Sequence, residues 1–164
     1  MGICRTPFYN LVLLTSCLQT VFGTLAGFVN GRSPLLYIFG KLAGGLSIAT
    51  WIWVAILMRF NRRPQSTSTL SRSTAHFSSF LVLSVVWLAV GIMLATQMPA
   101  ECSVKMLWCA GAAFSSALAF CTSIFSLSAA IVIYRDAKAS GAGLAVNVAQ
   151  VDCKVRELGD DDVA

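Results

Sequence analysis

Acidic residues are almost absent from most of this chain. Between Pro7 and Tyr134 the only carboxylate is Glu101, and the other six acidic residues come after Tyr134. Charged residues of both signs make up 12% of the chain, against roughly 25% in soluble domains. Long uncharged stretches of this kind exclude an ordinary water-soluble domain and predict helices that lie in hydrocarbon.

The same shortage of charge argues against catalysis and coupled transport. Proton-coupled transporters and intramembrane enzymes place ionisable groups inside their spans, and here Lys41 is the single candidate. His76, the only histidine, is expected at the interface where a span begins. The sequence has no Ser–His–acid set, no glycine-rich phosphate loop and no paired metal-type cysteine spacing. We therefore expect no enzyme, no cofactor and no metal. The basic residues flank apolar segments instead of forming a stripe, so no nucleic-acid partner is expected.

Four apolar stretches are each long enough to cross a bilayer as a helix, which takes about 20 residues. They cover residues 8–29, 35–58, 77–98 and 106–134. They predict an all-α membrane protein, a four-helix transmembrane bundle within one domain at residues 8–139. Residues 1–7 precede it, and a tail predicted to be disordered follows at residues 140–164. Lys41 lies about two turns inside the second span, so either its side chain reaches back to the interface or that helix begins near Leu42.

Basic residues predict the orientation of the spans. Seven Lys or Arg residues flank one side: Arg5, Arg59, Arg62, Arg63, Arg72, Arg135 and Lys138. Three lie on the other side: Arg32, Lys41 and Lys105. Both termini are therefore predicted to be cytoplasmic. The loop at residues 61–76 is predicted to be flexible. The arginines just before it and within it are interpreted as a basic anchor that meets anionic lipid: Arg59, Arg62, Arg63 and Arg72.

One alternative topology concerns the first span. The first span, with small residues around Ala26, also resembles a signal peptide, and its cleavage would leave three spans.

Four aromatic residues are expected near the interfaces, as in aromatic belts: Tyr9, Tyr37, Trp108 and Tyr134.

The six cysteines divide into three groups. Cys102 and Cys109 would be external and are predicted to form a disulfide, with two free thiols as the alternative. The pair inside the spans is expected to be inert packing: Cys17 and Cys121. The other two, Cys4 and Cys153, would face the cytoplasm. Gly2 matches an N-myristoylation pattern with Cys4 as a palmitoylation candidate, although a match by chance is the alternative.

Small residues recur at four-residue spacing, which lets membrane helices approach closely. They are Gly23 and Gly27, Gly40 and Gly44, and then Gly111, Ser115, Ala119 and Ser123. Packing inside the bundle and assembly of several copies both fit this pattern. Gln19, near mid-span, is expected to hydrogen-bond to another helix, and Trp87 is expected to contribute packing.

The chain resembles a fungal-type MARVEL-domain protein over about residues 8–139. The resemblance lies in four spans, very short external connections and a basic cytoplasmic loop. It continues in the run from Trp87 to Gly91 and in Ala95 and Thr96. The cysteine-flanked turn at residues 102–109 and the run from Ala117 to Phe120 complete it. Claudin-like and tetraspanin-like proteins need a large external loop, which this chain lacks.

The resemblance implies a membrane-organising role in membrane apposition, vesicle trafficking or plasma-membrane subdomains. Its partners would be membrane lipids and other membrane proteins, including further copies of the chain, at the plasma membrane or a secretory-pathway membrane. The alternative is a small channel or an accessory subunit of a transporter. That function needs a polar path, for which the sequence offers a short set: Gln19, Thr50, Ser84 and Ser126.

Overall fold

Four long helices make up nearly all of the structure. The computed structural model describes residues 5–28, 34–61, 69–102 and 107–139, together with Gly141, Leu144, Asn147 and Val148. The helices are α1 (Thr6–Phe28), α2 (Pro34–Asn61), α3 (Ser73–Cys102) and α4 (Leu107–Ala139), and a short 3-10 turn, Thr69–Ser71, precedes α3. Each of the four contains a segment long and apolar enough to cross a membrane. The prediction of an all-helical chain with four candidate spans is confirmed.

The helices extend beyond the apolar runs from which they were predicted. α3 begins at Ser73 and continues through Pro99, so both the loop predicted at 61–76 and the turn predicted at 99–105 are partly helical. A proline this close to the end of a helix removes one backbone hydrogen bond without ending the helix. α2 begins at Pro34, a residue whose fixed φ suits the first helical position. The alternative start near Leu42 is therefore wrong.

Neighbouring helices in the bundle come in the order α2, α1, α4, α3. α1 packs extensively against α2 and α4, and α3 packs against α4, whereas the contact between α2 and α3 is smaller. Trp87 of α3 is fully buried in this weaker contact, where its indole Nε1 donates to Thr50 Oγ1 of α2 at 3.1 Å. Trp87 is thus a packing residue, as its mid-span position predicted.

Two apolar clusters form the core, one toward each end of the bundle. The first consists of Tyr9, Val12, Val54, Leu57, Phe80, Ala129, Ala130 and Ile133. The second consists of Leu36, Ala43, Trp87, Val90, Leu94, Ala112 and Ala119. Tyr9 is 1% exposed and packs edge-on against Phe80, so it belongs to the core and not to the predicted interfacial belt.

Four described residues that follow α4 contact the bundle or the end of α4, and the rest of the tail predicted to be disordered lies outside the described residues. Gly141 has φ +67° and its amide donates to Lys138 O at 3.2 Å, a common way for a helix to end. Val148 is fully buried, and its carbonyl oxygen accepts a hydrogen bond from Arg5 Nη2 at 2.9 Å. The disorder predicted for residues 140–164 stays a prediction.

Candidate functional site

The glycine pairs predicted as packing faces bring α1 and α2 together. A Cβ atom on Gly23 would lie 3.1 Å from Gly44 N, and one on Gly44 would lie 2.8 Å from Thr24 Cγ2. Gly40 is buried on α2. Gly27 belongs to α1, but its surroundings fall outside the described residues. At Gly23 and Gly44, therefore, the small side chains serve close approach within one chain.

The small-residue row on α4 also faces the interior. Ser115 and Ala119 are fully buried, and Ser123 Oγ donates to Ser84 O of α3 at 2.8 Å. Gly111 is half-buried, and a Cβ atom there would meet nothing within 4 Å. Of the two uses predicted for these rows, packing inside the bundle is the one that the described residues adopt.

The polar residues proposed as a channel path are buried and mostly hydrogen-bonded across helices. They are Gln19, Thr50, Ser84 and Ser126. Gln19 Nε2 donates to Ser115 Oγ at 2.9 Å, which confirms the expected partner on another helix. Thr50 accepts from the Trp87 indole, and Ser84 bonds to Ser123. Ser126 Oγ has no hydrogen-bond partner within the described part of the chain. These contacts connect neighbouring helices.

Charged and aromatic residues meet at one end of the bundle, a feature absent from the sequence predictions. Arg5 is 2% exposed, its Nε lies 3.3 Å from Asp136 Oδ2, and its Nη2 donates to Val148 O at 2.9 Å. The Tyr9 hydroxyl and His76 Nδ1 are 2.8 Å apart. His76 is fully buried between helices at this end of the bundle, and its position at the level of the membrane interface stays a prediction.

A sequence signal for this site exists, although it is weak. Arg5 and Asp136 carry opposite charges just outside the apolar runs of α1 and α4. The two helices are antiparallel neighbours, so these ends coincide. An opposite-charge pair at the ends of two spans indicates contact only once that adjacency is known.

The basic anchor is described in part. Arg59 and Arg72 are exposed, whereas Arg62 and Arg63 lie outside the described residues. Lys41 is also exposed, and its Nζ lies 3.9 Å from the Tyr37 ring centroid and donates to the Tyr37 hydroxyl. Because Tyr37 is one turn closer to the start of α2, the Lys41 side chain points back along the helix, as the first of its two interpretations predicted.

The cysteines behave differently from one another. Cys102 and Cys109 form a disulfide with their Cα atoms 4.7 Å apart, at the end of α3 and the start of α4. Cys17 and Cys121 are exposed on the outer surface, so the prediction that they pack inside the bundle is wrong. In helices that are apolar all round, composition does not identify the inner face. Gly2 and Cys4, the lipidation candidates, lie outside the described residues, as does Cys153.

Among the described residues, no group of three His, Cys, Asp or Glu side chains could hold a metal ion. The candidate functional features are therefore the outer apolar surface, the buried polar contacts and the charged end. Comparison of the chain with protein-family models, curated proteins and solved structures finds no match, and the MARVEL resemblance stays a prediction.

Proposed function

We propose that the chain is a non-enzymatic, multi-pass membrane protein of the MARVEL type that organises membrane subdomains, membrane apposition or vesicle trafficking. It would do so through lateral association of its helices and through its cytoplasmic segments. The observation that carries the proposal is the distribution of side chains between the inside and the outside of the bundle.

Large apolar side chains cover the outer surface of all four helices. Leu14 on α1, Ile38 on α2, Val85 on α3 and Ile124 on α4 are 55–62% exposed. Inside, by contrast, serine, threonine and glutamine side chains bond one helix to another. In water such a surface would aggregate, whereas in lipid it needs no further cover. The packing of α1 against α2 and α4 supports four spans over the three that a cleaved signal would leave.

Lateral association requires a face that the bundle itself does not use. Gly45 and Ala49 lie one turn apart on α2 and are both exposed, and a Cβ atom on Gly45 would meet nothing within 4 Å. Small outward residues allow the backbone of a second helix to come close. We therefore expect other copies, or other membrane proteins, to associate along this side of α2.

Reconstitution into liposomes tests the function. Two populations of the protein, labelled with donor and acceptor dyes, should show energy transfer above the random level and no ion or solute flux. Gly45→Leu should lower the transfer, while Val85→Leu, a change between large residues on the exposed side of α3, should not. Reproducible flux without clustering would instead support the small channel or transporter subunit, whose polar residues are the buried set described above.

The proposed orientation places both termini and the basic anchor in the cytoplasm, based on the distribution of Lys and Arg. Single cysteines test it in a background where the four cysteines outside the disulfide are serine. Arg59→Cys should react with an impermeant thiol reagent only after cells are permeabilised. Leu35→Cys, at the opposite end of α2, should react in intact cells. The reverse pattern would invert the topology but leave the fold unchanged.

A further inference from the structure

The two apolar clusters of the core are separated by a layer of buried polar side chains. It covers residues 13–22 of α1, 44–53 of α2, 81–86 of α3 and 120–128 of α4. Apart from Gly44, every buried residue in these four stretches carries a hydroxyl or an amide. We call this set the polar layer: Thr15, Ser16, Gln19, Ser47, Thr50, Ser84, Thr122, Ser123 and Ser126. Hydrogen bonds from Ser47 to Thr20 and from Ser123 to Ser84 join neighbouring helices at this level.

Most hydroxyl groups of the polar layer use their proton within their own helix. Thr122 Oγ1, for example, donates to Leu118 O at 2.8 Å. Four others make the same kind of bond: Thr15, Ser16, Ser47 and Thr50. A hydroxyl oxygen that donates its proton still has two lone pairs with which it can accept. The layer therefore offers acceptors to any small molecule that can donate hydrogen bonds.

Two atoms of the polar layer have no hydrogen-bond partner within the described part of the chain. They are Gln19 Oε1 and Ser126 Oγ, and both residues are 0% exposed. Leaving a buried polar group unpaired costs more than a typical hydrogen bond contributes, and in native proteins nearly all such groups bond to protein or to ordered water. An amide oxygen only accepts, whereas a hydroxyl both donates and accepts. Water is the small molecule that satisfies both.

We propose that the polar layer is an internal hydration site, in which ordered water binds at Gln19 Oε1 and at Ser126 Oγ. Each of these atoms has a second hydroxyl one turn away on its own helix, at Thr15 and at Thr122. Residues four apart in a helix have Cβ atoms about 5–6 Å apart, a span that one water molecule bridges with two hydrogen bonds. Ser115, the partner of Gln19, is three turns from Ser126 along α4, or roughly 16 Å, so the two sites hold separate molecules.

The apolar clusters enclose this hydration site at both ends. The cluster that contains Tyr9 and Phe80 draws residues from all four helices. The cluster that contains Trp87 draws them from α2, α3 and α4, and Phe22 of α1 packs edge-on against Phe114 at the same end. The layer is thus a place where water is bound and not a path that water crosses. This inference concerns the inside of the bundle, and it does not depend on the proposed function.

The sign of a stability change tests the site in the full-length protein. If Ser126 Oγ had no partner, its removal would relieve the cost of burying it, and Ser126→Ala would fold more favourably. If the hydroxyl binds water, Ser126→Ala should lower the equilibrium constant for folding in mild detergent several-fold. Ser128→Ala, the same change at a hydroxyl that donates to Ile124 O, is the control and should change it little. An unchanged or increased constant for Ser126→Ala would overturn the proposal.

A single thiol in the layer detects water directly. In a background where the four cysteines outside the disulfide are serine, Ser126→Cys introduces an S–H group. Its infrared band is separate from other protein bands and moves when D2O converts it to S–D. Ala130→Cys is the matched control, because it lies one turn away on α4, is 1% exposed and belongs to an apolar cluster. The thiol at 126 should exchange several times faster, and equal rates would contradict a hydrated layer.

A small cation is the other occupant that such oxygen atoms could bind. Among the described residues, the polar layer contains no carboxylate to balance a charge, which favours a neutral ligand. The two are distinguished by the Tm of the protein in sodium or potassium chloride and in choline chloride at equal ionic strength. Bound water predicts the same Tm in all three salts. A higher Tm in sodium or potassium chloride that Ser126→Ala abolishes would assign the site to a cation and overturn the proposal.

Discussion

The two ends of the bundle are held together in different ways. At the disulfide end, Cys102 and Cys109 join α3 to α4 across a sequence separation of 7. At the other end, which we call the tail end, Arg5 contacts Asp136 and Val148, and Tyr9 contacts His76. The separation between Arg5 and Val148 is 143 residues. One end therefore relies on a local covalent link, and the other on polar contacts between distant parts of the chain.

This difference has an energetic side. A disulfide stabilises mainly by restricting the unfolded chain, and a short loop restricts it only modestly. A buried ion pair contributes little compared with apolar packing, yet the loss of one partner leaves a charge without compensation. The tail end should consequently be the more sensitive of the two to single substitutions. Variants at each end allow that comparison to be measured.

The largest effect is expected from Arg5→Ala. It would remove the ion pair with the Asp136 carboxylate, whose side chain is 24% exposed, and the hydrogen bond to Val148 O. Removing one partner of a buried pair costs roughly 3–5 kcal/mol, and the partial exposure of Asp136 favours the lower value. Helical circular dichroism during unfolding in mild detergent measures the loss. Arg59→Ala, an exposed arginine, is the control and should cost less than about 0.5 kcal/mol. If both variants lose the same free energy of unfolding, the tail end is no more sensitive to substitution than an exposed surface position.

Removal of the disulfide should have the next largest effect. Cys102→Ser combined with Cys109→Ser should reduce the free energy of unfolding by roughly 2 kcal/mol, the order expected for a loop this short. Cys17→Ser, an exposed thiol on α1, is the matched control and should change it by less than about 0.5 kcal/mol. A loss larger than that of Arg5→Ala, measured under the same conditions, would reverse the ranking of the two ends.

The same contrast determines how much of the structure the sequence could predict. Four helices follow from apolar length, and the disulfide follows from two cysteines on either side of one turn. Gln19 was expected to have a partner because a lone amide in mid-span needs one. The contact between Arg5 and Asp136 depends on α1 and α4 being neighbours, which hydropathy does not determine. The exposed positions of Cys17 and Cys121 were missed because the inner and outer faces of these helices are both rich in apolar residues.

A smaller effect is expected where α1 and α2 approach each other, toward the disulfide end. Gly44→Ala would place a Cβ atom 2.8 Å from Thr24 Cγ2. Thr24 has little freedom to move, since its hydroxyl donates to Thr20 O and Val21 O. Overpacking of this kind costs roughly 1–3 kcal/mol, and we expect the lower part of that range.

Gly45→Ala is the matched control for Gly44→Ala, because it makes the same change one residue away in α2. A Cβ atom on Gly45 would meet nothing within 4 Å. In a helix, alanine is more favourable than glycine by roughly 0.8–1 kcal/mol, so this variant should be unchanged or slightly more stable. Both are measured by the same detergent unfolding. Similar results for the two glycines would contradict the close approach of α1 and α2 at Gly44.

The smallest effect should come from the neutral hydrogen bond that joins α1 to α4 in the middle of the bundle. Ser115→Ala removes the acceptor of Gln19 Nε2, and such interhelical bonds contribute on average about 0.6 kcal/mol in membrane proteins. A double-mutant cycle with Gln19→Leu isolates the coupling between the two side chains. Ser128→Ala is the control, since that hydroxyl donates to Ile124 O of its own helix.

The double-mutant cycle at Gln19 and Ser115 also allows the middle of the bundle to be compared with its tail end. The bond between Gln19 and Ser115 and the pair formed by Arg5 and Asp136 join the same two helices, one in the middle and one at the tail end. A parallel cycle with Arg5→Ala and Asp136→Ala gives the coupling of the charged pair. Because burial strengthens the interaction of charges more than that of neutral groups, the charged pair should show the larger coupling. If the two pairs have equal coupling free energies, polar contacts stabilise the packing of α1 against α4 evenly along its length. The tail end would then contribute no more than the middle of the bundle.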